Sequence, residues 1–185
     1  MPVYTYTTID DPLATKGTTA EDINNAGQIV GSYDNGSGQH GFLYSNGVFT
    51  TLDDPLATNG TEALGINDLG QIVGDYSDAT GVHGFLYSGG NYTTLDDPST
   101  PFNTRAAGIN DLGQIVGFYL AGTPPSFHGF LYSGGKYTTL DDPSAVSTSP
   151  FRINNAGQIV GVPGQLAIPL FPWLSLQRRH LHSYQ

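Results

Sequence analysis

The chain has 185 residues and a formal net charge of −10, from 16 acidic against 6 basic side chains, so its surface should repel nucleic acid and anionic membrane. Cysteine is absent, which excludes a disulfide framework and a thiolate zinc site, and no run of 18 apolar residues offers a membrane helix, so no membrane insertion is expected. Hydrophobic residues at 38%, with Gly 25, Pro 12, Tyr 11 and Phe 9, exclude disorder and point to one all-β domain rich in tight turns.

The N-terminus, Met-Pro-Val-Tyr, lacks a basic region and an apolar stretch, so nothing exports or anchors the chain as written. Residues 3–12 end in Tyr-Thr-Thr-Ile-Asp-Asp-Pro, which matches Tyr92 to Pro98 and reads as a lone outer strand. A repeat follows. Gly-Gln-Ile-Val-Gly stands at 27, 70, 113 and 157, with spacings of 43, 43 and 44. His-Gly-Phe-Leu-Tyr begins at 40, 83 and 128, and Asp-Asp-Pro at 10, 53, 96 and 141. A fixed period of this length means one supersecondary unit copied along the chain. The units are expected at about 18–55, 61–98 and 104–143, with a partial unit at 149–161, all within a repeat domain of residues 1–161.

In the second unit, Ala63 to Asn67 and Gln71 to Tyr76 flank Asn67-Asp68-Leu69-Gly70, which suits a type I turn closed by a left-handed glycine. A polar loop then leads to a strand at His83 to Ser88, and Gly89-Gly90 turns it into Tyr92 to Leu95. Asn46-Gly47 and Gly134-Gly135 occupy that turn in the other units, and all of these residues accept positive φ cheaply. Ile72 with Val73, and Phe85 with Leu86, are adjacent apolar pairs, so the strands are expected to be covered on both faces. A four-stranded meander repeated in this way predicts a β-propeller of about four blades, the last incomplete. A β-trefoil is the rival, but a fourth Gly-Gln-Ile-Val-Gly and the extra strand at 3–9 exceed its three units. The N-terminal strand would then pair with the last blade and remove an exposed edge.

After Gly161 the pattern stops, and residues 162–185 bring Trp173, Arg178, Arg179, His180 and His182 in a different composition. Codons compatible with Pro172 to Ser183, read one base later, can spell His-Gly-Phe-Leu-Tyr-Asn-Gly-Gly-Thr-Phe-Thr-Val, the missing half-blade. The concealed His falls 15 residues after Gly157, the gap that separates Gly113 from His128. A frameshift is therefore the expected origin of the tail, and coding DNA lacking that phrase one base out of frame would remove the idea.

The recurring polar residues have structural readings beside the functional ones. Asp10, Asp11, Asp53, Asp54, Asp96, Asp97, Asp141 and Asp142 could supply oxygen ligands for calcium, although they lack the spacing of a known calcium loop, and turn capping before proline is the favoured reading. No other cofactor is expected. His40, His83 and His128 read as hydrogen-bonded structural residues beside a close-packed glycine, and Phe42, Tyr44, Phe85, Tyr87, Phe130 and Tyr132 as core between blades. Asn24, Asn67, Asn110 and Asn154 should hold the inner turn and could line one mouth of a channel. The acidic residues outside the repeated positions, Glu21, Asp22, Asp34, Glu62, Asp75 and Asp78, have no partner legible in sequence, and no nucleophile elbow occurs.

The run Ile-Asn-(Asn/Asp)-x-Gly-Gln-Ile-Val-Gly-x-Tyr, then His-Gly-Phe-Leu-Tyr, then Tyr-Thr-Thr-Leu-Asp-Asp-Pro, resembles the HAF-type extracellular repeat of secreted bacterial proteins over residues 3–161. The resemblance implies a secreted or cell-surface protein and carries no catalytic residue to transfer. The expected function is a non-enzymatic binding or scaffolding module for glycan or protein. The alternatives are a carbohydrate hydrolase or lyase with its site in the channel, and a self-assembling protein that forms homo-oligomers through an open blade edge.

Overall fold

The computed structural model describes residues 3–100, 103–164 and 182–184. Among them fifteen strands form four antiparallel sheets, with no helix. Sheet one is β1 (Gly17–Ile23), β2 (Ile29–Asp34), β3 (Gln39–Ser45) and β4 (Val48–Leu52). Sheet two is β5 (Gly60–Ile66), β6 (Ile72–Ser77), β7 (Val82–Ser88) and β8 (Asn91–Leu95). Sheet three is β9 (Thr104–Ile109), β10 (Ile115–Ala121), β11 (Ser126–Ser133) and β12 (Lys136–Thr139). Sheet four holds β13 (Ser147–Ile153), β14 (Ile159–Gly164) and β15 (His182–Tyr184). Strands neighbour one another in chain order within every sheet, so each sequence unit folds as one meander.

The turn residues set this local structure. Gly70 takes φ +74° and donates its N–H to the Asn67 carbonyl at 3.1 Å, which closes the inner hairpin. Gly89 and Gly90, at φ +57° and +87°, make the primed turn whose twist matches the strands. Each inner strand also carries a bulge, at Ala20/Asp22, Ala63/Gly65, Ala106/Gly108 and Pro150/Arg152. The second glycine of Gly-Gln-Ile-Val-Gly has a steric reason: a Cβ on Gly74 would run into the Glu62 carbonyl and meet the Phe85 ring at 2.9 Å. Gly31 and Gly117 stand in the same place beneath Phe42 and Phe130.

Adjacent sheets are held together by apolar seams. Between sheets one and two, Val30 and Leu52 meet Ala63, Ile66, Ile72, Tyr76 and Phe85. Between two and three, Val73 and Leu95 meet Ala106, Ile109, Ile115, Tyr119 and Phe130. Val116 meets Ile153 and Ile159 between three and four. Ile72 thus faces one neighbour and Val73 the other, as their adjacency in sequence implies. Phe42, Phe85 and Phe130 are fully buried, whereas Tyr44, Tyr87 and Tyr132 are half-buried against Phe49, Tyr92 and Tyr137.

Among the described residues the fourth and first sheets lack such a seam. Ile23 is 61% exposed, against 5%, 6% and 9% for its counterparts Ile66, Ile109 and Ile153, and Ala20 is exposed where Ala63 and Ala106 are buried. Across the gap Val160 is 39% exposed, while Val30, Val73 and Val116 are at 0%. In the complete seams the third and fourth strands add residues such as Leu43 and Leu52 to the cover, and sheet four shows only a three-residue third strand among the described residues.

The outer strand expected at residues 3–12 is not formed: residues 3–11 carry no strand, and Tyr4 and Tyr6 stand exposed. A strand there would need a third strand of sheet four to pair with, and β15 offers three residues. The turn that follows is nevertheless intact, with the Asp11 N–H on Thr18 Oγ1 at 2.9 Å, as Asp54 is on Thr61 at 3.1 Å. The backbone of β15 takes the third-strand register, Ile159 opposite Tyr184 as Ile72 lies opposite Tyr87. The concealed strand read near residue 172 falls outside the described residues, as do Trp173, Arg178, Arg179 and His180.

Candidate functional site

Four inner turns, one per sheet, line a single depression of about 340 Å³ that takes in Asp22 to Asn25, Ile66 to Asp68, Ile109 to Asp111 and Arg152 to Asn155. Each asparagine first organises its own turn: Asn67 Oδ1 accepts from the N–H groups of Leu69 and Gln71, and Nδ2 donates to Gln71 Oε1. It then reaches the next sheet. The Nδ2 groups of Asn24, Asn67 and Asn110 donate to the carbonyls of Asn67, Asn110 and Asn154, each at 3.0 Å. A parallel chain runs round the rim. Asn25 N–H donates to Asp68 Oδ1, Asp68 N–H to Asp111 Oδ1 and Asp111 N–H to Asn155 Oδ1, at 2.8–2.9 Å. The Asn25 backbone and side-chain N–H bonds hold the Asp68 carboxyl below its usual range. Among the described residues neither chain of bonds continues from sheet four to sheet one.

The repeated histidines and acidic pairs are committed to local structure. His40, His83 and His128 place Nδ1 on Asp53, Asp96 and Asp141 at 2.9, 2.9 and 2.8 Å, and stack on Tyr33, Tyr76 and Tyr119. Burial would lower the His83 pKa, but Asp96 and Asp78 outweigh it and raise the group above its ordinary value. The second acid of each pair caps a turn: Asp11, Asp54, Asp97 and Asp142 accept from the N–H groups of Leu13, Leu56, Ser99 and Ser144. Asp10 lies in the exposed N-terminal segment. Among the described residues no group of three or more His, Asp or Glu is arranged to hold a metal ion.

Hydroxyls complete two of the histidine pairs, Thr80 on His83 Nε2 at 2.8 Å and Ser126 on His128 Nε2 at 3.1 Å. The atom order matches a nucleophilic triad. The two hydroxyls come from different places relative to their histidines, and His40 Nε2 has no partner, so the contact satisfies a ring nitrogen rather than recurring as chemistry.

Five of the acids outside the repeated positions, Asp22, Asp34, Glu62, Asp75 and Asp78, have partners in the fold. Arg105 holds Glu62 Oε2 at 2.7 Å and Asp75 Oδ2 at 2.8 Å, tying sheet three to sheet two. Glu62 and Asp75 are direct cross-strand neighbours, and burial pushes the Asp75 carboxyl up to about 7, only partly offset by Arg105. Asp78 lies 3.3 Å from His83, and the half-buried Asp34 lies 3.7 Å from Lys16. Arg152 donates to the carbonyls of Ala107 and Glu21 at 2.9 and 2.8 Å and stands 4.0 Å from Asp22. The sequence signal for this last set was positional: Asp22 and Arg152 fill the place held by Gly65 and Gly108 in the other units. Ala63 and Ala106 are buried in the seams between sheets. No family model and no curated protein matches this chain.

Proposed function

We propose that the protein is a non-enzymatic β-propeller, of the HAF-repeat type, whose axial mouth binds extracellular glycan. Four meanders packed in order, with their inner turns gathered around one depression, support the ring reading. The observation that carries the non-enzymatic reading is where the unit-specific residues lie. Glu62, Asp75 and Arg105 join sheets two and three, Phe118 packs edge-on against Phe151 between three and four, and Asp22 and Arg152 join four and one. Departures from the repeat therefore order the blades and do not build a reactive cleft. What faces solvent at the mouth is a rim of amides and carboxylates, Asn25, Asp68, Asp111 and Asn155, a donor and acceptor set suited to sugar hydroxyls.

The test is a glycan array probed with the wild type and with Asp68→Ala and Asp111→Ala, alongside solution mass by light scattering in EDTA and in millimolar calcium. A compact monomer in both buffers, with glycan signal lost in the rim variants, is expected. Assembly driven by calcium would instead make the Asp-Asp-Pro turns ligand candidates and favour self-assembly. The Glu62–Asp75 pair gives a second reading, because a carboxyl raised by burial, as Asp75 is, beside a second carboxyl resembles the acid pair of glycoside hydrolysis. Asp75 is buried and both acids hold Arg105, so they are placed to pair and not to meet a substrate. Reducing ends released from an array-positive glycan, and lost in Glu62→Gln, would reverse that preference.

A further inference from the structure

The four junctions between sheets are not equivalent, and the difference is chemical. Three are closed by apolar seams and by the asparagine ladder. At the fourth, among the described residues, the ladder stops, Ile23 and Val160 are left exposed, and the polar contacts between sheets four and one that remain run through Arg152. We propose that this junction is a gate latched by Arg152, which opens as a unit while the other three junctions stay shut.

Position and geometry both support this. At the equivalent site Gly65 and Gly108 let inner strands approach closely, a Cβ there meeting the Ala107 carbonyl at 3.1 Å and the Phe151 carbonyl at 2.7 Å. Glycine at this place in the fourth unit would leave the gap unbridged. A guanidinium spans it, one nitrogen on the sheet-three carbonyl of Ala107 and another on the sheet-one carbonyl of Glu21. Asp22, the opposite charge at the same place in the first unit, faces it while also accepting the Ile66 N–H at 3.1 Å. The latch is polar and partly exposed and has no apolar seam behind it among the described residues, whereas the junction held by Arg105 also has one, so the fourth junction is the one of lowest cost to open.

The inference rests on the ring reading, and the experiment separates the two. Small-angle scattering of the full chain tests the ring: a compact particle is expected, and an extended arc would remove both ideas. Hydrogen exchange on Arg152→Ala, Arg152→Lys and Asp22→Asn then tests the latch in a particle already shown to be compact. Arg152→Ala should speed exchange about tenfold or more in residues 17–34 and 147–164 while residues 60–95 keep wild-type rates. Arg152→Lys should fall between, since a compact ammonium lacks the planar spread of donors that lets a guanidinium reach two separate carbonyls, and Asp22→Asn should stay near wild type in β5 because an amide oxygen can still accept from Ile66. Uniform acceleration across all sheets, or none in the first and fourth, would overturn the gate.

Discussion

Asp75 shows how a single side chain can carry a pH dependence for the whole fold. Burial raises its carboxyl from 3.8 to about 7 despite the adjacent Arg105. The folded protein therefore keeps a proton that the unfolded chain releases near the ordinary carboxylate value. The stability this contributes is full below about pH 4 and is lost as pH rises toward about 7, with a slope of at most about 1.4 kcal/mol per pH unit. Asp75→Asn keeps the shape and removes the titration. Urea unfolding at pH 5 and pH 8 should show the variant gaining on the wild type as pH rises; parallel pH profiles would mean that Asp75 is ionised throughout. Arg105 is the reason that ionisation is tolerable at all, and Arg105→Ala should be most harmful at the higher pH, where it leaves two carboxylates facing each other across β5 and β6.

Each meander depends on where its glycines sit, and for two different reasons. Gly74 is needed for space, because its face is filled by the Glu62 carbonyl and the Phe85 ring. Gly89 is needed for its backbone at φ +57°, with open space around its Cβ position. Gly74→Ala should therefore cost several kcal/mol, as overpacking of a bulged pair does, and Gly89→Ala about 1 kcal/mol. Equal losses in urea midpoint would mean that the Phe85 contact yields more easily than its geometry implies. This division explains what was legible in advance. Turn residues and paired apolar positions act locally, so four strands per unit and cover on both faces could be read from Gly-Gln-Ile-Val-Gly, Gly89-Gly90 and Ile72-Val73. The partners of Glu62, Asp75 and Asp22 lie 30 to 130 residues away, as Arg105 to Asp75 and Arg152 to Asp22 show, and no local pattern marks such pairs. Only comparison of equivalent places in the units, glycine against Asp22 and Arg152, could have pointed to them.

At the scale of the molecule, the fourth junction ties the tail to stability. Ile23 and Ala20 present to solvent the same face that sheet two presents to sheet one through Ile66 and Ala63. The cover they lack is the kind that Leu43 and Leu52 give from the third and fourth strands of sheet one. If residues 172–185 stand in place of such a half-blade, restoring one should seal the junction. A chain in which residues 172–185 are replaced by the sequence of His83 to Pro98 supplies both strands with their own turn. Burying Ile23 and its neighbours should add about 2 kcal/mol or more, a rise of roughly 4–8 °C in the thermal midpoint. The gain should be cut sharply by Ile23→Asp in the restored chain, while the same substitution in the present chain, where the side chain is 61% exposed, should cost little. An unchanged midpoint, or an Ile23→Asp effect of equal size in both chains, would show that the first and fourth sheets do not meet across that gap.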